Sequence, residues 1–379
     1  MFCDLQQAYD SVNWKYLIEV TDKFNFGPKF KKWISMLYRD SDKDPVTARI
    51  ALNGHLSRPY SIRRGLRQGC PLSCLLFLLC IEPFSETVRA SNSIAGIHIN
   101  GVEVKMSAYA DDTALIINGT EGSLIAALKI CEDFEMVSGL KLNKSKTNIM
   151  WIGRNKIRQD ILCREYGLNW TKQVNYLGVD IGPTMRNMAD ENYASKIAKL
   201  KNLLNPWIKR GLTPFGRIHL IKSMALSQLV YLMSVLEKPC KKMLKELESL
   251  MFSFIWNGKT DRIKRTTMKN QYSKGGLQVP DPSTQADSLK IMWIKKFLDE
   301  NNRAKWKFVI QNKLQIGGTL SILECKLSKR ALECKFVDKF WREIYLAWQT
   351  IVESEKKTDG SVLHEPLWYS KYMKKKFRD

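Results

Sequence analysis

The sequence predicts an α+β protein, a sheet-and-helix domain followed by an all-helical, basic region. Three observations carry this. Up to about Ile181, period-2 runs of branched and aromatic residues bounded by Asn-Gly turns alternate with amphipathic helical patterns. Beyond about Asp190 the strong periodicity is helical, punctuated by Thr213-Pro214, Pro239 and Gly258. The net charge of +23 is also uneven: residues 201–379 hold 35 Lys+Arg against 17 Asp+Glu, and residues 1–200 hold 26 against 21. A surplus of that size on one half points to a polyanionic partner held there, with a solvated surface as the bland alternative.

Taken in order, an opening strand ends near Leu5, and Ser11 or Asn13 can cap a helix through Trp14, Leu17 and Ile18. Pro28 starts a second helix whose Phe30, Trp33, Ile34, Leu37 and Tyr38 are expected in the core. Ala48–Leu52 turns back at Asn53-Gly54 as a hairpin. Arg63–Ser73 is a basic, glycine-punctuated loop running into the longest apolar stretch, Pro71–Ile81, read as a buried helix with proline at an early position. Asn100-Gly101 precedes the strand Val104–Ala108, and Tyr109-Ala110-Asp111-Asp112 falls at the bend before the strand Thr113–Ile117.

Glu121–Ser138 carries Leu124, Ala127, Leu128, Cys131 and Phe134 on one helical face and is ended by Gly139. Leu140–Leu142 and Asn148–Ile152 read as strands flanking Asn143–Lys146, and Val174–Ile181 as a further β stretch. Three helical patterns follow: Tyr193 to Trp207; Ile218, Ile221, Ala225 and Leu229; then Met243, Leu247, Leu250 and Phe254. The basic loop Lys259–Lys274 and Gly275-Gly276-Leu277 lead to helices rich in Lys and Trp. There Trp293, Trp306, Trp341 and Trp348 either fill a core or stack on bases, and core filling is the expectation.

Several chemistries find no support. Nine cysteines show no C-x-x-C spacing and read as reduced intracellular thiols; four scattered histidines give no zinc or Ser-His-Asp pattern. Pro71–Ile81 is short of the roughly 18 residues a membrane span needs, and Asp4 and Asp10 interrupt any leader. What remains is acidic. Asp pairs at bends are ordinarily turn formers, but Asp4, near the end of another strand, offers a third carboxylate to Asp111 and Asp112. The Arg63–Ser73 loop, with close-approach glycines, arginines and a helix start, suits an anion or is simply a solvated turn.

Read together and in order, Phe2-x-Asp4-x-x-x-Ala8-Tyr9-Asp10, then Arg64-Gly65-Leu66-Arg67-Gln68-Gly69-Cys70-Pro71-Leu72-Ser73, then Tyr109-Ala110-Asp111-Asp112 resemble the A, B and C palm motifs of reverse transcriptases, closest to those of non-LTR (LINE-type) retrotransposons. Gly139–Asn143 with Lys146-Thr147 is similar to the fourth palm motif, and Tyr176-Leu177-Gly178 to the fifth. Downstream, Gly216-Arg217 with Tyr231, Phe254-Ile255-Trp256 and Gly275-Gly276-Leu277 resemble the thumb and connecting segment.

The resemblance implies a right-hand polymerase palm over 1–188 built on an antiparallel sheet, a helical thumb over 189–258, and a Trp-rich connecting region over 259–379. It implies an RNA-directed DNA polymerase adding dNTPs to a primer 3′-OH on an RNA template, with a DNA primer, two Mg²⁺ ions (Mn²⁺ the alternative), no membrane, and a place in the cytoplasm or nucleus. Asp4 and Asp111 would share the metals, with Asp112 in support and the Leu5 carbonyl as a further ligand. Strand alternation is consistent with unequal roles for Asp111 and Asp112.

By the same resemblance Tyr9 is the sugar gate favouring deoxynucleotides, Gln68 and Gly69 touch the nucleotide, and Arg64, Arg67 and Tyr109 touch template or primer. Lys146 is the candidate proton donor to pyrophosphate, Lys144 its competitor, and Asp10 structural. Cys74 stands where the family usually carries proline. Because the chain begins one residue before Phe2, it is expected to be a truncated product lacking the fingers. The alternative is a catalytically silent relic that only binds nucleic acid.

Overall fold

The computed structural model describes residues 1–39, 41, 44–152, 164–182, 187–302, 304–314 and 320–354, and the basic tail Lys374–Arg378 lies outside them. The chain divides into two compact units, Met1–Pro183 and Thr184–Asp379.

The first unit is built on a five-stranded sheet in the order β11-β10-β1-β9-β8. Its strands are β1 (Phe2–Cys3), β8 (Met106–Tyr109), β9 (Asp112–Leu115), β10 (Asn148–Ile149) and β11 (Asn169–Trp170). The expected all-antiparallel sheet is corrected at one edge, where β10 and β11 run parallel. Two strands separated by a long connection can pair in either direction, and short-range pattern does not encode which.

Two Asn-Gly turns form the hairpins that their sequence predicts. Asn53-Gly54 (φ 49° and 84°) joins β3 (Ala51–Leu52) to β4 (His55–Leu56), while β2 (Thr47–Ala48) pairs with β5 (Tyr60–Ser61). Asn100-Gly101 joins β6 (Ile97–Ile99) to β7 (Val102–Val104) as a separate hairpin. Val174–Ile181, expected as one stretch, is a hairpin instead: Leu177-Gly178, both at positive φ, turn β12 (Val174–Tyr176) into β13 (Val179–Ile181). Adjacent left-handed residues give the tight primed turn that hairpins favour, and the leucine at its first position hid it.

Helices α1 (Ala8–Ser11), α2 (Trp14–Lys23), α3 (Pro28–Leu37), α4 (Ser73–Ala90) and α5 (Glu121–Ser138) belong to the same unit. Asn13 caps α2 by accepting from the Lys15 amide at 2.8 Å. Pro71 lies just ahead of α4 rather than inside it, and Pro83 is the proline within. Helix α5 begins at Thr120, whose hydroxyl accepts from the Ser123 amide, and ends at Gly139 at φ 77°. Its buried Leu124, Leu128 and Phe134 join Leu76, Phe77 and Phe84 of α4 and Leu17 of α2 in one core. Each such side chain contributes about 1.5–3 kcal/mol. In α3 only part of the expectation holds: Ile34 and Tyr38 are fully buried, but Trp33 is 65% exposed. The buried stripe of α3 is narrower than its apolar pattern.

The second unit is helical. Tyr193, Ile197, Leu200 and Leu204 of Met188–Ile208 are buried, as are Leu247 and Phe254 of Lys241–Ile255. A short helix, Arg265–Lys269, interrupts the expected basic loop Lys259–Lys274. Pro214–Val235 is a continuous helical rod with a π-helical segment at Ile221–Leu226. By length and composition it could cross a membrane. Its Ile218, Ile221, Ala225, Leu229, Leu232 and Met233 are buried among the other helices, which is how a core rod packs. Trp293, Trp306, Trp341 and Phe340 pack edge and face at 5.0–5.9 Å, so these tryptophans are core filling.

Candidate active site

The sheet brings the three aspartates together. Cys3 pairs with Thr113 and Phe2 with Ala114, so continuing the register by one residue sets Asp4 beside Asp112. Tyr109 pairs with Asp112 across the hairpin, leaving Ala110-Asp111 as a two-residue loop. Cys3 and Thr113 face Ile81, Phe84, Cys131 and Phe134 of the helical layer. Alternation therefore turns Asp4 and Asp112 to the other face. Asp111 is in the turn, not the strand, so the alternation argument for ranking it above Asp112 does not apply. Ala110 holds φ 53°, a conformation that costs an L-residue roughly 1–2 kcal/mol and is what allows so tight a bend.

The charges feel one another. The Asp112 carboxyl is held above the ordinary range, by partial burial first and then by the negative charges of Asp111 and Asp4. Its backbone carbonyl accepts from the Tyr176 hydroxyl at 3.4 Å, which also donates to Ser107 O at 3.3 Å, and the Tyr176 ring lies 5.3 Å from Phe2. The β12–β13 hairpin thus supports the strands that carry the acids.

Asp4 is fixed through its backbone by the segment after Gly139. Its amide donates to the buried Thr147 hydroxyl at 3.3 Å, and its carbonyl accepts from the Asn143 amide at 2.8 Å. The Gln6 amide donates to Lys141 O at 2.9 Å, completing a bridge between Leu5 and Leu142 that uses the carbonyls of Asp4 and Lys141 but not that of Leu5. Lys144 lies 3.1 Å from Glu132, whereas the exposed Lys146 makes no ion pair among the described residues.

Tyr9, on α1, stacks on Phe77 of α4 at 4.6 Å and 21°. Its phenol is raised by burial, by a hydrogen bond with Cys74, and by the charges of Cys74 and Asp111. That places Tyr9 within electrostatic reach of the acidic site and makes Cys74 and Phe77, one turn apart on α4, its seat. The role of Phe77 was not read from sequence, although its spacing of three from Cys74 was visible.

The Arg63–Ser73 loop is clamped to the same α1. Gly65 N donates to Val12 O at 2.8 Å, Leu66 N to Tyr9 O at 2.6 Å, and the Trp14 indole to Gly65 O at 2.7 Å. Gly65 is at φ 88°, and a Cβ there would sit 2.7 Å from Asp10 O. Gln68 Nε2 donates to Asp10 Oδ1 at 3.1 Å, giving Asp10 its structural task. Arg67 Nη2 donates to Leu37 O at 3.3 Å; Arg64 and Gly69 are exposed, and so is Tyr109, at 71%. Trp14 was read only as a helix residue, and nothing local signals its indole's partner 51 residues away.

Hard carboxylate oxygens are the donors Mg²⁺ prefers, and three mutually repelling carboxylates at one sheet end suit a divalent cation chemically. In the geometry described, no three acidic, histidine or cysteine side chains among the described residues converge as a closed ligand set.

Comparison with known proteins agrees with this architecture. Residues 1–181 match the family model described as "Reverse transcriptase (RNA-dependent DNA polymerase)". The chain is 25% identical over 97% of its length to the Transposon TX1 uncharacterized 149 kDa protein of Xenopus laevis, covering 28% of it. It is 22% identical over 96% of its length to the Pol polyprotein of the type-2 retrotransposable element R2DM of Drosophila melanogaster, covering 33%. A third relative, the Pol polyprotein of the type-1 element R2 of Popillia japonica, is 26% identical over 38% of the chain. The chain thus spans a third or less of the length of these relatives.

Proposed function

We propose roles for these side chains from one premise: residues 1–181 are a reverse transcriptase domain of the non-LTR retrotransposon kind, by family an RNA-directed DNA polymerase. On this reading the five-stranded sheet with α4 and α5 is the palm, residues 189–258 are the thumb and residues 259–379 the connecting region. The observation that carries the assignment is the strand register that brings Asp4 level with the Asp111-Asp112 turn.

Asp4, Asp111 and Asp112 are the residues that would hold two Mg²⁺ ions, with the Leu5 carbonyl as an additional oxygen. When bound, the ions supply activation of the primer 3′ oxygen and stabilisation of the departing pyrophosphate. The chain's own groups do the rest. The Asn143–Thr147 segment fixes Asp4 by its backbone and leaves the carboxylate unencumbered. Tyr9, seated on Phe77 and Cys74, presents a ring edge to the sugar of the incoming dNTP, so that a 2′-hydroxyl is rejected sterically. Gln68, oriented by Asp10, and Gly69 face the nucleotide; Arg64, Arg67 and Tyr109 face template and primer. Lys146, free of the ion pair that occupies Lys144, gives a proton to pyrophosphate as it leaves.

The test is primer extension on an RNA template with dNTPs and Mg²⁺, by the chain alone and within a longer polypeptide carrying a fingers region. Extension should require the metal and fall by orders of magnitude in Asp111→Asn and Asp4→Asn. Full activity in Asp111→Asn would overturn the assignment. Template binding with no extension in any divalent ion would instead mark the chain as a silent nucleic-acid binder.

A further inference from the structure

The second unit carries a surface to which none of the side-chain roles proposed above is assigned. At its centre is Arg217, buried to 5% exposure. Its guanidinium donates to Phe254 O (2.7 Å), Leu212 O (3.2 Å), Asn257 Oδ1 (3.2 Å) and Ile208 O (3.4 Å). These bonds tie the segment before Pro214 to the end of the Lys241–Ile255 helix and fix where the Pro214–Val235 rod begins. Phe215, at the second position of that rod, points outward. It is 57% exposed and stacks at 6.5 Å and 26° on Tyr272, itself 55% exposed. Two large rings stacked in water are an unusual outlay for a fold that has a core available for aromatics.

Seven residues along the rod, roughly 10 Å at 1.5 Å per residue, is Lys222. It stands on the π-helical segment, a distortion found often at functional sites. Lys222 lines a cleft of about 740 Å³ together with Gln278, Thr284, Gln285 and Ser288. The acid in this cleft, Asp281, is committed to Lys269 at 2.5 Å. Lys222 and the exposed Lys209, Arg210, Lys264 and Lys274 make no ion pair among the described residues. The Gln285 Oε1 is buried with no hydrogen-bond partner in the structure.

We propose that Phe215 and Tyr272, with the Lys222 cleft beside them, form a binding site for single-stranded nucleic acid, in which an unpaired base stacks on the exposed rings and a neighbouring phosphate reaches Lys222. The rings discriminate by exposure. A base in a duplex has both faces covered and gains nothing from them, whereas an unpaired base of any identity stacks. The unpaired cations supply the sequence-independent part of the affinity. The inference stands apart from the catalytic reading, because strand binding here needs none of the three aspartates.

Fluorescence anisotropy on the full chain tests it, with a single-stranded RNA of about ten nucleotides, the same sequence as DNA, and the corresponding duplex. Phe215→Ala with Tyr272→Ala should weaken single-strand binding about tenfold or more, leave duplex binding within a factor of two or so, and leave the salt slope unchanged. Lys222→Gln should lower the slope by about one, and Phe215→Trp should retain affinity. Whichever single strand binds more tightly identifies the natural one. Unchanged single-strand affinity in the double variant, or equal losses for single strand and duplex, overturns the proposal. Unaltered thermal midpoints are expected because both rings are exposed. A collapsed midpoint makes Phe215→Trp the deciding variant, and weakened binding by a folded Phe215→Trp protein overturns the proposal too.

Discussion

Gly65 is where the loop that carries Arg64, Arg67, Gln68 and Gly69 is joined to the helix that carries Tyr9 and Asp10, and two separable effects act there. Its φ of 88° would cost alanine about 1–2 kcal/mol. Its missing Cβ would also meet Asp10 O at 2.7 Å and Asp10 Cα and C at 2.9 Å. Those are backbone atoms that cannot swing aside, so α1 and the loop must separate, at a further cost of about 1–3 kcal/mol. Gly69 supplies the internal control. Its φ is 81°, but a Cβ there meets nothing within 4 Å. Gly69→Ala should therefore cost only the conformational part, about 1–2 kcal/mol, and Gly65→Ala about 2–5 kcal/mol. Urea unfolding followed by hydrogen exchange of the Leu66 amide, which donates to Tyr9 O, reads the first unit directly. Primer extension should suffer in Gly65→Ala beyond what its stability explains, because Tyr9 and the Asp10–Gln68 pair move with α1. Equal destabilisation by the two substitutions would refute the close-approach argument.

Two further outcomes follow from titration. The Asp112 carboxyl is raised in the folded state, so the native chain retains a proton that the unfolded chain releases above its ordinary 3.8; the stability penalty is absent below that pH and grows as pH rises through the folded value. Asp112→Asn should consequently raise the metal-free thermal midpoint at pH 7 and not at pH 3, and a midpoint lowered at pH 7 would contradict the coupling. In the second unit, burial lowers the amine of Lys290 to about 8 from an ordinary 10.5, although its Nζ donates to Leu236 O and sits 3.9 Å from the Phe340 ring centre. Stability of the wild type should rise between about pH 8 and 10, since the unfolded chain there holds a proton the folded one has lost. Lys290→Met should flatten that rise in pH-dependent denaturation, and an unchanged slope would reject it.

The sequence carried the local structure of this protein well where a single physical signal decides the outcome. Gly139 ends α5 as its left-handed residue, and Asn53-Gly54 and Asn100-Gly101 turn hairpins because asparagine and glycine tolerate positive φ. The three acidic and glycine-bearing motifs were legible for the same reason, as residue types whose chemistry shows without neighbours. Where a residue that ordinarily avoids positive φ takes that conformation, as Leu177 does, the turn carries no local signal. The stripe of α3 misled because helical periodicity alone cannot say which edge of a face is covered, and Trp33 is left in solvent.

What only the tertiary structure decided is which distant groups meet. The register of β1 on β9 brings Asp4 to Asp112, and the Asn143–Thr147 segment grips the Asp4 backbone. The seat of Tyr9 on Phe77, the Trp14 indole on Gly65, and the parallel pairing of β10 with β11 are likewise contacts across long stretches of chain. Composition placed the positive charge in the second half, but not the stacked Phe215 and Tyr272 at its surface, and not which rings the Trp293 cluster, expected in a core, packs against. Local dihedral preference and periodicity are written residue by residue and can be read there. Long-range pairing is settled by the packing of the whole core, in which each contact depends on many others at once.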